Sequence, residues 1–132
     1  MVGNCRELHM DRDKFRFASL ADAIAALHAT TEPMLLTRFE PAAADRVVIA
    51  VNAAAAADQA SPVPGEHLDA RRDRDITADV EFDYLYRHLV ERGRAQQVVS
   101  IGGRLRELII NRVYIAADDA MYGFVSPRTR EP

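Results

Sequence analysis

DVEFDYLYRHLVERG, residues 79–93, carries two periodicities at once. Phe82, Leu85, Tyr86 and Leu89 recur at helical spacing. Val80, Phe82, Tyr84 and Tyr86 also alternate with Glu81 and Asp83, as in a half-buried strand. Aromatic and β-branched residues crowd the first half, so the reading adopted is a strand over 80–86 and a helix over 88–92, ended by Gly93. The chain beyond it reads as a β-meander. Strands are expected at 97–101, 105–110, 113–117 and 121–125, with turns at Gly102-Gly103, Asn111-Arg112 and Asp118-Asp119.

Upstream, Ser19 can cap a helix, with Asp22 three residues on as the weaker form of a capping box. Leu20, Ile24 and Leu27 give that helix one apolar stripe, and Thr30, Thr31 and Pro33 end it. Strands are expected at 34–39 and 46–51. The alanines at 53–57 continue as a helix, and Ser61, Pro62 and Pro64 mark a loop over 60–65. Residues 66–75 (EHLDARRDRD) read as a helix charged on most faces. Together these elements predict one α/β (α+β) domain, a mixed sheet with flanking helices and a C-terminal β-meander. Its expected limits are 19–127, with a lead-in at 1–18 and a tail at 128–132.

The chain has 132 residues, 48% hydrophobic and 28% charged, which suits a globular domain and not a disordered one. A net charge of -3 argues against a general nucleic-acid footprint. The lone Cys5 cannot form an internal disulfide, in keeping with a reducing compartment. No apolar run approaches the roughly 20 residues of a membrane span, and residues 1–10 lack a secretory apolar stretch. The expectation is therefore a cytoplasmic protein without membrane contact or direct nucleic-acid binding.

Several stretches resemble a family. LADAIAALHATTEPMLLTRFEP (20–41), Leu85-Tyr86-Arg87-His88, RELIINR (106–112) and the closing Arg130-Glu131-Pro132 are similar to the sensor module of actinobacterial LuxR-type transcriptional regulators, which has a phospholipase-D-like fold. The likeness covers most of residues 19–132, with different loop lengths around 42–65 and 88–96. It lacks the helix-turn-helix domain of those regulators. It implies a phospholipase-D-like mixed sheet, a homodimer and a role in transcription regulation, as a stand-alone, sensor-like module or as a remnant of a larger regulator.

Active phospholipase-D-like enzymes use H-x-K-x-x-x-x-D, in which histidine attacks phosphorus and lysine steadies its oxygens. The matching stretch here runs from Arg104 through Arg106 to Asn111. A guanidinium has no available lone pair, so Arg104 cannot act as that nucleophile. What the resemblance leaves is a pair of cations able to hold a phosphate or carboxylate.

The expected binding residues are thus Tyr84, Tyr86, Arg87, His88, Arg104 and Arg106. No catalytic residue, metal or cofactor is expected. The partner is a small anionic ligand or another protein. His9, His28, His67 and His88 show no metal-ligand spacing, and the arginines among Asp69, Asp73 and Asp75 would repel a cation. Three other readings stay open. One is a small enzyme using His88 with Asp83 or Glu107. Another is a stand-alone protein-interaction or antidote factor. The third rests on residues 89–112, which also look like part of a CBS nucleotide-binding domain; that reading wants a helix over 113–122, where Val113, Tyr114 and Ile115 favour a strand.

Overall fold

The computed structural model describes residues 15–58, 61–69, 76–101, 104–116 and 118–127. Six strands form one mixed sheet that does not close: β1 (Arg16–Phe17), β2 (Leu35–Glu40), β3 (Asp45–Val51), β4 (Arg94–Ile101), β5 (Arg104–Ile115) and β6 (Tyr122–Pro127). Among the described residues three α-helices accompany them: α1 (Leu20–Ala29), the single turn α2 (Ala53–Ala56) and α3 (Ile76–Arg92). The sheet runs β5–β6–β2–β3, and β4 and β1 share the far edge of β5, one after the other. Every pairing is antiparallel except β1 with β5.

Local chemistry explains the elements that were expected. The Ser19 side chain accepts from the Asp22 N–H at 3.2 Å, and the chain leaves α1 at Thr30. Ala23 and Leu27 are buried, with Leu20 and Ile24 packed beside them. They meet Leu36, Val113, Ile115, Tyr122 and Phe124 on one face of the sheet. Phe15 and Phe17, in the stretch read as a lead-in, stand edge-on to Phe124 at 5.8 and 6.0 Å. A bulge in β3 lets Ile49 and Ala50 both serve this face, since Leu36 pairs with Ala50 and Thr37 already with Val48.

Three expectations change. Residues 80–92 belong to one helix, not to a strand followed by a helix. Helical geometry buries Phe82, Leu85 and Leu89 together and stacks Phe82 on Tyr86, four residues on, at 5.9 Å. Tyr84, which a strand would place beside those rings, faces solvent instead. Gly93, at φ 75°, ends the helix as expected. The second change concerns Asn111-Arg112, which is not a turn. β5 runs through it for 12 residues, paired with β6 from Leu108↔Pro127 to Val113↔Tyr122. Asn-Arg has no glycine to supply the positive φ of a two-residue hairpin, and partners on both sides keep the strand extended. The meander therefore has three strands, β4, β5 and β6. Strand at Val113–Ile115 is the form that the CBS reading does not have.

The third change is at 66–69, which is no helix but a strap along the free edge of β3. Gly65 N–H donates to Val48 O at 2.7 Å, Val48 N–H to Glu66 O at 2.9 Å, and Leu68 N–H to Arg46 O at 2.8 Å. Residues 70–75, Gly102-Gly103 and the tail from 128 lie outside the described residues, as do His9 and Cys5.

The second face of the sheet holds α3. Phe82, Leu85 and Leu89 pack on Phe39, Ala95, Ile110, Met121 and Val125. Gly123 belongs to this contact: a Cβ there would lie 3.0 Å from Ile110 Cγ2 and 3.3 Å from Phe39 Cε1. The sheet curls around α3 so far that side chains from its two edges, β3 and β4, touch.

Candidate functional site

The residues expected to form a site divide between three places. Tyr84, Arg87 and His88 stand at i, i+3 and i+4 on α3, and so share one helix face. Tyr84 is 52% exposed, and its ring centroid lies 4.2 Å from that of His88, tilted by 52°. Arg87 beside them is exposed. Tyr86 turns the other way, onto Phe82 and Phe39, and packs half-buried against the α3 cluster. Arg106, on β5, is ion-paired to Asp58 at 3.0 Å. Arg104 opens β5, paired with Ile101 at the end of β4. The fold therefore joins Tyr84, Arg87 and His88 and leaves Tyr86, Arg104 and Arg106 apart from them.

The same geometry bears on the small-enzyme reading. Asp83 and His88 are five positions apart on one helix, about 140° around its axis, so they do not converge. Glu107 alternates with Leu108 and Ile110, which face α3, and so points to the other side of the sheet. The sheet itself separates it from His88.

A cluster that the sequence did not announce lies at the head of β3. Asp45, Arg46, Asp69 and Gln97 are all buried. Arg46 Nε and Nη2 donate to the two Asp69 oxygens at 3.0 and 2.9 Å, a bidentate pair. Its Nη1 donates to Gln97 Oε1 at 3.3 Å, and Gln97 Nε2 donates to Glu81 Oε1 on α3 at 2.6 Å. Asp45 Oδ1 accepts from the backbone N–H groups of Arg46 and Asp69 at 2.8 and 3.0 Å. Its Oδ2 lies 2.6 Å from Nδ1 of the half-exposed His67. Among the described residues no group of three metal-ligating side chains occurs. The cluster closes the strap onto β3 and joins both edges of the sheet to α3. The only signal for it was a charged pair, Asp45-Arg46, ahead of an apolar strand. Asp69, read as part of a solvated helix, is its buried anchor.

Elsewhere the loop before β6 shifts two titrations. The Asp118 carboxyl accepts from the Ala120 N–H at 2.9 Å and from the Tyr122 hydroxyl at 2.7 Å, and both bonds hold it below the usual carboxylate range. Burial, and then the Asp118 partner, push the Tyr122 hydroxyl above its ordinary value.

A last surface feature is the β4–β5 hairpin. Val98 is 57% exposed and Leu105 79%. Both lie on the face that holds α1, because Val98 pairs with Glu107 and Leu105 with Ser100. α1 covers the β1, β2 and β3 side of that face and the end of β5 at Val113 and Ile115. No protein-family model matches this chain, and no curated protein matches it.

Proposed function

We propose that the chain is a non-catalytic recognition module of the sensor or interaction type, like the effector region of bacterial transcriptional regulators. It takes an anionic group, from a small ligand or another protein, on the outer face of α3. The observation that carries this reading is the exposed Tyr84–His88 ring pair at 4.2 Å with Arg87 beside it. Two ring faces and a guanidinium offer stacking and a charged donor, and the buried side of α3 holds them on a fixed scaffold.

The finer form of the proposal is a phospholipase-D-like scaffold that grips without cleaving. Two features support the loss of cleavage. Position 104, in the nucleophile's place, is an arginine with no available lone pair. The guanidinium of Arg106 is occupied by Asp58. A cytoplasmic, homodimeric protein belongs to the same reading. The exposed Val98 and Leu105 favour the second reading, a protein-interaction factor, without conflict with the first.

Isotope-labelled protein titrated with inorganic phosphate and with a glutamate-rich peptide tests the α3 face. Shifts confined to Tyr84, Arg87, His88 and their neighbours, and lost in Arg87→Glu, are expected. A spectrum unmoved by either probe at millimolar concentration overturns the proposal.

A further inference from the structure

The two edges of the sheet are treated differently. The β3 edge is covered by the strap, through three backbone hydrogen bonds and a bridge between Val47 and His67. The β4 edge, among the described residues, pairs with β5 alone. Edge strands normally carry charges, proline or a bulge that stop them pairing with another chain. β4 carries none of these over residues 95–101 (AQQVVSI), in a chain that is 28% charged. Its register with β5 runs without a shift from Arg94↔Asn111 to Ile101↔Arg104. At its middle, Val98 presents an exposed apolar side chain.

We propose that β4 is a homodimer interface: two copies pair their β4 strands antiparallel about a twofold axis at Val98, making one continuous sheet across the dimer. This rests on reading the chain as an interaction module and names its partner as a second copy of itself. On the side that carries Val98, the strand matches its own reverse in polarity. With the axis at Val98, valine faces valine, Gln96 faces Ser100, Gln97 faces Val99 and Ala95 faces Ile101. Apolar meets apolar at the centre of the solvent-facing side, and a polar pair flanks it on each side. Arg94, the charge of the strand, falls beyond the three residues on either side that the axis pairs. No like charges oppose one another, and an uncharged edge gives a charged peptide nothing to recognise. An isologous contact of this kind closes at two copies and does not propagate into a fibre.

Sedimentation equilibrium of the full chain across the micromolar range is the test. A dimer is expected. Val98→Lys puts two like charges on the axis and should weaken the dimer by about a hundredfold or more. Leu105→Lys, one strand in from the edge, should leave it intact. Circular dichroism checks that the Val98→Lys protein is folded. If it is not, hydrogen exchange on the unmodified chain decides: protection of the outward amides of β4 should rise with protein concentration. A monomeric wild-type chain overturns the proposal, as does a dimer indifferent to Val98→Lys or exchange in β4 indifferent to concentration. The phosphate and peptide titration of α3 reads the other proposal separately, since its face lies on the helix and not on the strand edge.

Discussion

Arg46 shows what a single residue settles in this protein. Burying a guanidinium is costly unless each N–H finds an acceptor, and here Asp69 and Gln97 supply them. Such a pair contributes little net stability against an apolar equivalent, yet removing one member strands the other in a dry site. Asp69→Asn is therefore expected to cost about 3–5 kcal/mol. The double change Arg46→Met with Asp69→Leu should cost less than Asp69→Asn alone. Urea denaturation of the three proteins checks both statements, and equal losses in single and double variants would contradict them. This anchor was invisible in the sequence because Asp69 sits in EHLDARRDRD, whose charge density looks the same whether solvated or folded inward. Tyr84, Arg87 and His88 were legible as a group because four residues of spacing carry their proximity once the segment is helical. Tyr86 was misplaced for the same reason in reverse: strand alternation puts it beside Tyr84, while a helix turns it some 200° away.

At the scale of elements, Asn52 holds three of them in place. Fully buried, it accepts from the N–H groups of Met34 and Ala55, and its Nδ2 faces the carbonyls of Leu27, Thr30 and Glu32 at 3.4, 3.2 and 2.7 Å. The end of α1, the approach to β2 and the start of α2 thus share one side chain. Asn52→Asp keeps the shape and the acceptor but turns the donor into an oxygen facing three carbonyls. A loss of about 3–5 kcal/mol is expected, close to that of an uncompensated buried charge. Thermal unfolding measured with a urea series would show it, and a loss under 1 kcal/mol would mean that the three carbonyls do not depend on this donor. Elements written in short-range chemistry were legible: the Ser19 cap, the β2 and β3 strands, and the Gly93 stop. Elements decided by tertiary partners were not. α3 satisfied both periods, and packing against Phe39, Ile110 and Val125 chose the helix. β5 was broken at Asn111-Arg112 on turn propensity, which flanking strands override. The strap was missed because what holds it, the free backbone edge of β3, leaves no mark in its own residues.

Across the whole molecule, the two apolar clusters lie on opposite faces of the same strands. β5 gives Ile110 to one and Val113 and Ile115 to the other; β6 gives Val125 to one and Tyr122 and Phe124 to the other. Neither face can come apart while the strands stay paired and buried by the other, so the clusters should open as one unit. The curl of the sheet strengthens this coupling. Through Arg46, Gln97 and Glu81 it links edge strand, opposite edge strand and helix on a single face. Leu27→Ala, a change confined to α1, is the informative perturbation. It should remove about 2–5 kcal/mol, the range for truncating a fully buried leucine. If the faces are coupled, hydrogen exchange of the slowest amides around Leu85 and Leu89 in α3 speeds by the same free energy as those of α1, although no atom near them has changed. Faster exchange in α1 alone would instead mean that the α3 face and the sheet survive without it, and that the molecule is two stabilities sharing one set of strands.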